Sequence, residues 1–147
     1  MTGAPTDPPL RILAVDDDPL NRTLIRAILV RADDPTVRGA ILREAGTLAE
    51  ARAILAVEPV DVILLDVHLP DGLGLELAAE LRRGPPETRP VIVALTASVL
   101  PAEQQAAMEA GCDAFLAKPY PAAALVATIG ELLPQRRRDR RDPTRGC

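Results

Sequence analysis

Short apolar runs alternate along the chain with longer stretches in which apolar residues recur at helical spacing. Each run is too short for a helix and is bounded by turn residues, as is typical of strands buried on both faces. The alternation therefore predicts an α/β protein, in which five helices cover both sides of a five-stranded parallel sheet. The predicted strands are Arg11–Val15, about Ala40–Ala45, Val60–Leu65, Val91–Leu95 and Ala114–Ala117.

Proline, glycine and aspartate mark the ends of several predicted helices. Asp18 precedes Pro19 and a series of apolar residues at helical spacing that begins with Leu20, so it is a good N-cap for the first helix. A later helix is predicted over 102–110 with Gly111 as its stop, and the last over 122–133 with Pro134 beyond its end. The segment 31–38 is predicted to be a wide loop.

Length and composition indicate a single domain with an aliphatic core. The 147 residues are 48% apolar, and Phe115 and Tyr120 are the only aromatic residues. The two cysteines have no metal-binding or disulfide spacing, and neither a membrane span nor a signal peptide is apparent. We therefore expect a cytoplasmic protein with a disordered segment 1–9 and a folded domain over 10–134.

The net charge of −4 is distributed unevenly along the chain. Segment 135–147 contains six arginines and two aspartates, so it carries +4 and the remainder carries −8. A block of this kind is typical of a solvated, disordered tail. Binding of this tail to an acidic partner or to nucleic acid is the alternative, and the lack of aromatic residues in it argues against base stacking.

Acidic residues follow two of the predicted strands. Asp16, Asp17 and Asp18 come after the first strand, and Asp66 comes after the third. In a sheet of this type the functional crevice lies at the carboxyl ends of the strands. Carboxylates brought together there repel one another unless a cation lies among them, and oxygen ligands suit Mg²⁺. Helix capping explains Asp18 but leaves Asp16 and Asp17 without a structural role.

A hydroxyl and an ammonium group lie at the ends of the fourth and fifth predicted strands. Thr96 ends the fourth strand, and Lys118, the only lysine beside sixteen arginines, follows the fifth. Lysine offers a compact charge that suits a single anionic oxygen. Together with Asp66 these groups fit phosphoryl transfer, in which a carboxylate oxygen attacks phosphorus while a cation, an ammonium and a hydroxyl neutralise the other oxygens.

Four motifs in this order resemble the receiver domain of two-component response regulators. We expect a receiver of the stand-alone type, and a module of a hybrid kinase is the alternative. The resemblance covers about residues 10–133 and implies a flavodoxin-like, doubly wound sheet with strand order 2-1-3-4-5. The motifs that carry it are Leu13–Pro19, Leu65–Glu76, Ala94–Ala97 and Lys118–Tyr120.

The resemblance implies a Mg²⁺ site and a phosphoryl acceptor. Asp66 would accept the phosphoryl group, Asp17 would bind Mg²⁺ directly, and Asp16 would bind it mainly through water. Asp66 and the backbone carbonyl of His68 would complete the protein ligands. A side-chain role of His68, paired with Ser98 in tuning the lifetime of the phosphoryl group, is a further hypothesis; the alternative is that only its backbone matters.

The same resemblance assigns a conformational switch. Thr96 would hydrogen-bond the phosphoryl group, Lys118 would pair with it, and the peptide before Pro119 would be cis. Phe115 corresponds to the aromatic residue that turns inward when Thr96 moves; the alternative is a simple core aromatic.

The phosphoryl donor is expected to be a histidine kinase or a histidine phosphotransfer protein, since no dimerisation helix surrounds the only histidine. We expect a signalling domain rather than an enzyme, with a protein output partner, possible homodimerisation, and no membrane or nucleic-acid ligand. Two alternatives remain. One is a degenerate receiver that acts as an interaction scaffold, and the other is a phosphatase of the haloacid dehalogenase type, whose nucleophile would lie on the first strand.

Overall fold

The structure, a computed structural model, describes residues 9–97 and 100–141. Five parallel strands form the main sheet, and two short antiparallel strands form a separate hairpin. In chain order the strands are β1 (Arg11–Val15), β2 (Ile41–Ala45), β3 (Val62–Asp66), β4 (His68–Leu69), β5 (Gly72–Leu73), β6 (Val91–Thr96) and β7 (Ala114–Ala117). The sheet order is β2-β1-β3-β6-β7. Without the hairpin strands this is 2-1-3-4-5, which confirms the predicted topology.

Six α-helices are present within the described residues, one more than predicted. They are α1 (Pro19–Val30), α2 (Pro35–Arg38), α3 (Leu48–Val57), α4 (Gly74–Arg82), α5 (Pro101–Ala110) and α6 (Ala122–Arg141), and a 3₁₀ turn covers Pro86–Thr88. The extra helix, α2, lies where a wide loop was expected. The Asp34 carboxylate accepts hydrogen bonds from the amides of Thr36 and Val37, and Pro35 occupies the first turn, so this segment has its own helix start.

The predicted end of the last helix at residue 133 is wrong, because α6 continues through Pro134 to Arg141. A proline inside a helix removes one backbone hydrogen bond, and for this reason the helix was predicted to end before Pro134. The glutamine and arginines that follow are good helix formers, and they sustain the helix beyond the proline. Residues 135–141 of the expected tail belong to α6, while residues 142–147, like residues 1–8, lie outside the described part.

The core consists of two layers, one on each face of the sheet. Alternate residues of each central strand point to opposite faces, so Ile12 and Leu64 pack with α1 and α6, whereas Leu13 and Ile63 pack with α3, α4 and α5. The central strands β3 and β6 are buried along their whole length. Burial on both faces explains why these strands appear in the sequence as continuous apolar runs.

Two of the predicted helix boundaries are confirmed. The Asp18 carboxylate caps α1 by accepting a hydrogen bond of 2.9 Å from the Leu20 amide. Gly111 ends α5 in the left-handed region, with φ of 119°, a conformation that glycine adopts without steric cost. No helix of the described part is both long enough and apolar enough to span a bilayer.

Candidate functional site

The carboxyl edge of the sheet gathers the predicted polar groups. Asp16 follows β1, Asp66 ends β3, Thr96 ends β6 and Lys118 follows β7. Asp16, Asp66 and Thr96 are 1%, 8% and 5% exposed, and they are the buried polar residues among those the structure describes. Buried polar groups need partners, so their concentration at one edge marks this place as a site.

Three carboxylates converge at this edge. Oxygen atoms of Asp16, Asp17 and Asp66 lie within 4.8 Å of one another; Asp17 is exposed while the other two are buried. The loop after β1 and the end of the adjacent strand β3 deliver them to the same point. Three negative charges this close repel one another strongly, so the cluster attracts a cation.

The Lys118 ammonium bridges two of these carboxylates. Its Nζ lies 2.9 Å from Asp16 Oδ2 and 3.3 Å from Asp66 Oδ2. Burial lowers the pKa of Lys118, but the hydrogen bonds and charges of both aspartates outweigh burial and raise it overall. Burial raises the pKa of Asp66, and Lys118 and the His68 amide offset this only partly. One ammonium therefore does not fully compensate the two buried carboxylates.

Backbone groups hold Asp16 and Asp66 in place. The Asp16 amide donates to the Ala45 carbonyl at 3.0 Å, and its Oδ1 accepts from the Asp18 amide at 2.9 Å. Asp66 Oδ1 accepts from the His68 amide at 3.2 Å. The Asp66 Oδ2 contact to Lys118 is a side-chain contact, so the two oxygens of Asp66 have different kinds of partner.

The hairpin β4–β5 lies directly after Asp66 and leads the chain into α4. A Cβ atom on Gly74 would lie 2.2 Å from the Asp66 carbonyl oxygen, closer than any real contact, so only glycine fits there. The turn residue Asp71 accepts hydrogen bonds from the Leu48 and Ala49 amides at 2.9 and 3.1 Å, which ties the hairpin to the start of α3. These contacts fix the path of the chain that follows Asp66.

The remaining predicted residues lie near this edge in different environments. His68 is in β4 with an exposed side chain, and Phe115 is half-buried in β7 and packs on the layer formed with α3, α4 and α5. The Lys118–Pro119 peptide is cis, as predicted, and the Lys118 amide donates to the Thr96 carbonyl at 2.7 Å. Ser98 lies outside the described residues.

Sequence reasoning assigned no role to three residues that shape the site. Arg22 donates from Nη1 to the Asp16 carbonyl at 2.5 Å. Asp71 caps α3 from a distant loop, and Gly74 makes room for the Asp66 carbonyl. The one signal available in the sequence was the pair of glycines, Gly72 and Gly74, before a stretch with apolar residues at helical spacing. The contacts of Arg22 and Asp71 join residues that only the fold brings together.

An open, doubly wound α/β fold with an acidic crevice at the carboxyl edge of its sheet defines the class of this protein. The sequence also matches the family model of the response regulator receiver domain over residues 12–130. The chain belongs to this family, whose members are signalling domains of two-component systems.

Individual relatives agree with this assignment. The aerobic respiration control sensor protein ArcB of Escherichia coli is 37% identical over 123 residues, which are 83% of this chain and 15% of ArcB. A CheY-like receiver domain from Methanospirillum hungatei has a TM-score of 0.76 at 27% identity, covering 88% of this chain and 98% of that one. A Burkholderia pseudomallei response regulator, solved with a phosphorylated aspartic acid, a calcium ion and citrate, has a TM-score of 0.69 at 29% identity over 80% of this chain and 65% of its own.

Proposed function

We propose that Asp66 accepts a phosphoryl group from a phosphohistidine of a histidine kinase or a histidine phosphotransfer protein. The observation that carries this proposal is the convergence of three carboxylates within 4.8 Å, with the Lys118 ammonium 3.3 Å from Asp66. An Asp66 oxygen attacks phosphorus, the bond between phosphorus and the donor imidazole nitrogen breaks, and the imidazole keeps the electron pair and takes up a proton. Thr96 and Lys118 stabilise the charge on the phosphoryl oxygens.

Mg²⁺ is the cation that fits this cluster best. Asp16, Asp17 and Asp66 offer carboxylate oxygens, which with the His68 carbonyl and water form the kind of oxygen-only ligand set that Mg²⁺ takes. When bound, Mg²⁺ neutralises charge on the phosphoryl oxygens. The Burkholderia pseudomallei relative was solved with both a calcium ion and a phosphorylated aspartic acid, which supports a divalent cation as part of the proposal.

The phosphorylated domain acts as a switch or as a phosphorelay intermediate through protein contacts. Thr96 and Phe115 lie on the neighbouring strands β6 and β7, where Ala94 pairs with Phe115 and Thr96 with Ala117. A movement of Thr96 toward the phosphoryl group is therefore transmitted to Phe115 through the paired backbones of β6 and β7. This change alters the contacts with a partner protein. Those contacts lie on the face formed by α5, β7 and α6.

The test is phosphorylation by acetyl phosphate with and without Mg²⁺, followed on a phosphate-affinity gel and by mass spectrometry. We expect one added phosphoryl group in the wild type, none after chelation of Mg²⁺, and none in Asp66→Asn. Asp113→Asn is the matched control, since it changes an aspartate at the opposite edge of the sheet and should leave phosphorylation intact. An unmodified wild type would instead favour a degenerate receiver that acts as a scaffold.

A further inference from the structure

Arg22 connects the first helix with the acidic cluster. It lies in the first turns of α1, and its side chain is only 20% exposed. Its Nη1 donates to the Asp16 carbonyl oxygen at 2.5 Å, while its Nε lies 3.2 Å from Glu44 Oε1 on β2. A charged donor makes a stronger hydrogen bond than a neutral one, so this contact holds the carbonyl firmly.

The Asp16 carbonyl belongs to the peptide that joins Asp16 to Asp17. A peptide unit is planar, so the direction of its carbonyl oxygen also sets where the amide nitrogen and the Cα atom of Asp17 lie. Asp16 is already held through its amide and its carboxylate, whereas Asp17 is exposed. The contact from Arg22 therefore holds the backbone position from which the Asp17 carboxylate projects.

The surroundings of Arg22 are arranged for this contact. Gly46 leaves space for the guanidinium, because a Cβ atom there would lie 3.3 Å from Arg22 Nη1. Glu44 pairs with Arg22 and also with Arg26, one turn further along α1. The Glu44 carboxylate thus offsets a positive charge that would otherwise repel a cation from the cluster.

We propose that Arg22 is a positioning residue for divalent-cation binding, which acts by fixing the Asp16–Asp17 peptide so that both carboxylates face the same point. This inference rests on the proposed function, since it assumes that the cluster binds Mg²⁺. Groups that orient metal ligands without touching the metal commonly contribute about 10- to 100-fold in affinity. We expect the lower end of this range, because Arg22 acts through the backbone.

The sign of the effect separates positioning from simple electrostatics. Removal of a positive charge near a cation site should tighten cation binding if only charge matters. Loss of the contact to the Asp16 carbonyl should weaken it. Arg22→Met keeps much of the aliphatic stem and removes the donors, and Arg26→Met is a matched control because Arg26 shares the helix and the Glu44 partner.

The experiment measures Mg²⁺ affinity by calorimetry and backbone amide hydrogen exchange of the metal-free proteins by NMR. We expect Arg22→Met to bind Mg²⁺ about tenfold more weakly than the wild type, Arg26→Met to match the wild type, and Arg22→Lys to recover part of the loss. Unchanged or tighter binding in Arg22→Met would overturn the proposal. An equal loss in Arg26→Met would do so too, because it would assign the effect to the Glu44 pairs.

The hydrogen-exchange measurement distinguishes failure of this inference from failure of the proposed function. A wild type that binds no Mg²⁺ would refute the proposed cation site. In that case the inference is decided by the Asp16 amide, which donates to the Ala45 carbonyl. Faster exchange there in Arg22→Met alone would support the hold of Arg22 on the Asp16–Asp17 peptide, and equal exchange in all variants would refute that hold.

Discussion

Both edges of the sheet carry aspartates at strand ends, but the two edges use them differently. At the amino edge, Asp61 precedes β3 and Asp113 precedes β7. The Asp61 amide donates to the Arg11 carbonyl while its carboxylate accepts from the Arg11 amide, at 2.8 and 2.9 Å. Asp113 makes the same reciprocal pair with Ile92, at 2.7 and 2.8 Å. Each of these carboxylates therefore accepts a hydrogen bond from a backbone amide of the neighbouring strand, in the place of a backbone carbonyl.

At the carboxyl edge the aspartates face one another instead. Asp16 and Asp66 each accept one backbone hydrogen bond, and their other oxygens share the Lys118 ammonium. An amide donor commits one carboxylate oxygen to the fold, whereas an oxygen that shares a side-chain cation can exchange it for another cation or rearrange. The residue type is the same at both edges, and its partners decide between a structural and a chemical role.

The largest effect should follow a change of backbone space at the carboxyl edge. Gly74→Ala would place a Cβ atom 2.2 Å from the Asp66 carbonyl oxygen. The backbone must shift, and we expect a loss of about 2–3 kcal/mol in unfolding free energy together with loss of phosphorylation. Urea denaturation and a phosphate-affinity gel measure the two. Gly39→Ala is the control, because its Cβ would lie 3.4 Å from the Pro35 carbonyl, an ordinary contact. Wild-type stability in Gly74→Ala would contradict the tight fit.

At the amino edge a side-chain change should reduce stability and spare the chemistry. Asp113→Ala leaves the amide of the fully buried Ile92 without the acceptor at 2.8 Å. An unsatisfied buried donor costs about 1–3 kcal/mol. We expect this loss in urea denaturation, with an unchanged rate of phosphorylation by acetyl phosphate. A slowed rate in a folded Asp113→Ala protein would break the distinction between the two edges.

Lys118→Arg tests whether charge alone suffices at the carboxyl edge. Arginine keeps the positive charge, but its planar head is larger and prefers bidentate contacts to one oxyanion. We expect phosphorylation to slow by about five- to tenfold and the spectral changes at Phe115 on phosphorylation to shrink. Lys118→Met, which lacks the charge, is the comparison. Wild-type rates and wild-type NMR shifts in Lys118→Arg would show that an ammonium is not required.

The smallest effect concerns Asp71, a carboxylate near the carboxyl edge whose two oxygens both accept from backbone amides. Hydrogen bonds from the Leu48 amide and then the Ala49 amide lower the pKa of Asp71, and burial opposes them. A lowered folded-state pKa contributes stability that is present above the unfolded pKa and is lost as the pH falls through the folded value. Asparagine still accepts one hydrogen bond, so Asp71→Asn should lower the melting temperature by roughly a degree or two at pH 7.

The difference in melting temperature between wild type and Asp71→Asn should shrink as the pH falls below about 4. Phosphorylation by acetyl phosphate should be unaffected, because both oxygens of Asp71 accept from backbone amides and neither shares the Lys118 ammonium. A constant difference between pH 3 and pH 7 would contradict the charge-dependent contribution.

The sequence predicted those features that depend on local pattern. Continuous apolar runs identified the five sheet strands, and polar residues at their ends identified Asp16, Asp66, Thr96 and Lys118 as one group, which the structure brings together. The reciprocal pairs of Asp61 and Asp113 could not be predicted, since each depends on the register between neighbouring strands.

Features that oppose local propensity or join distant elements also escaped prediction. Pro134 favoured a helix stop, yet the residues after it continue α6. Asp34 and Pro35 have the sequence of a helix start, but four residues are too few to stand out from a loop by periodicity. Arg22 looked like an ordinary polar position on an amphipathic helix, because only the fold brings it to the Asp16 carbonyl.

The single lysine makes this chain unusually simple to footprint chemically. Amine-selective reagents attack the neutral amine, and the chain offers them only Lys118 and its α-amino group. Burial lowers the pKa of Lys118, but Asp16 and Asp66 raise it overall, which disfavours the neutral amine that these reagents need. A ligand that weakens the contacts of Lys118 with those two carboxylates should make the Lys118 amine available for labelling. Mass spectrometry of one modified residue would then follow occupancy of the crevice without any change to the protein.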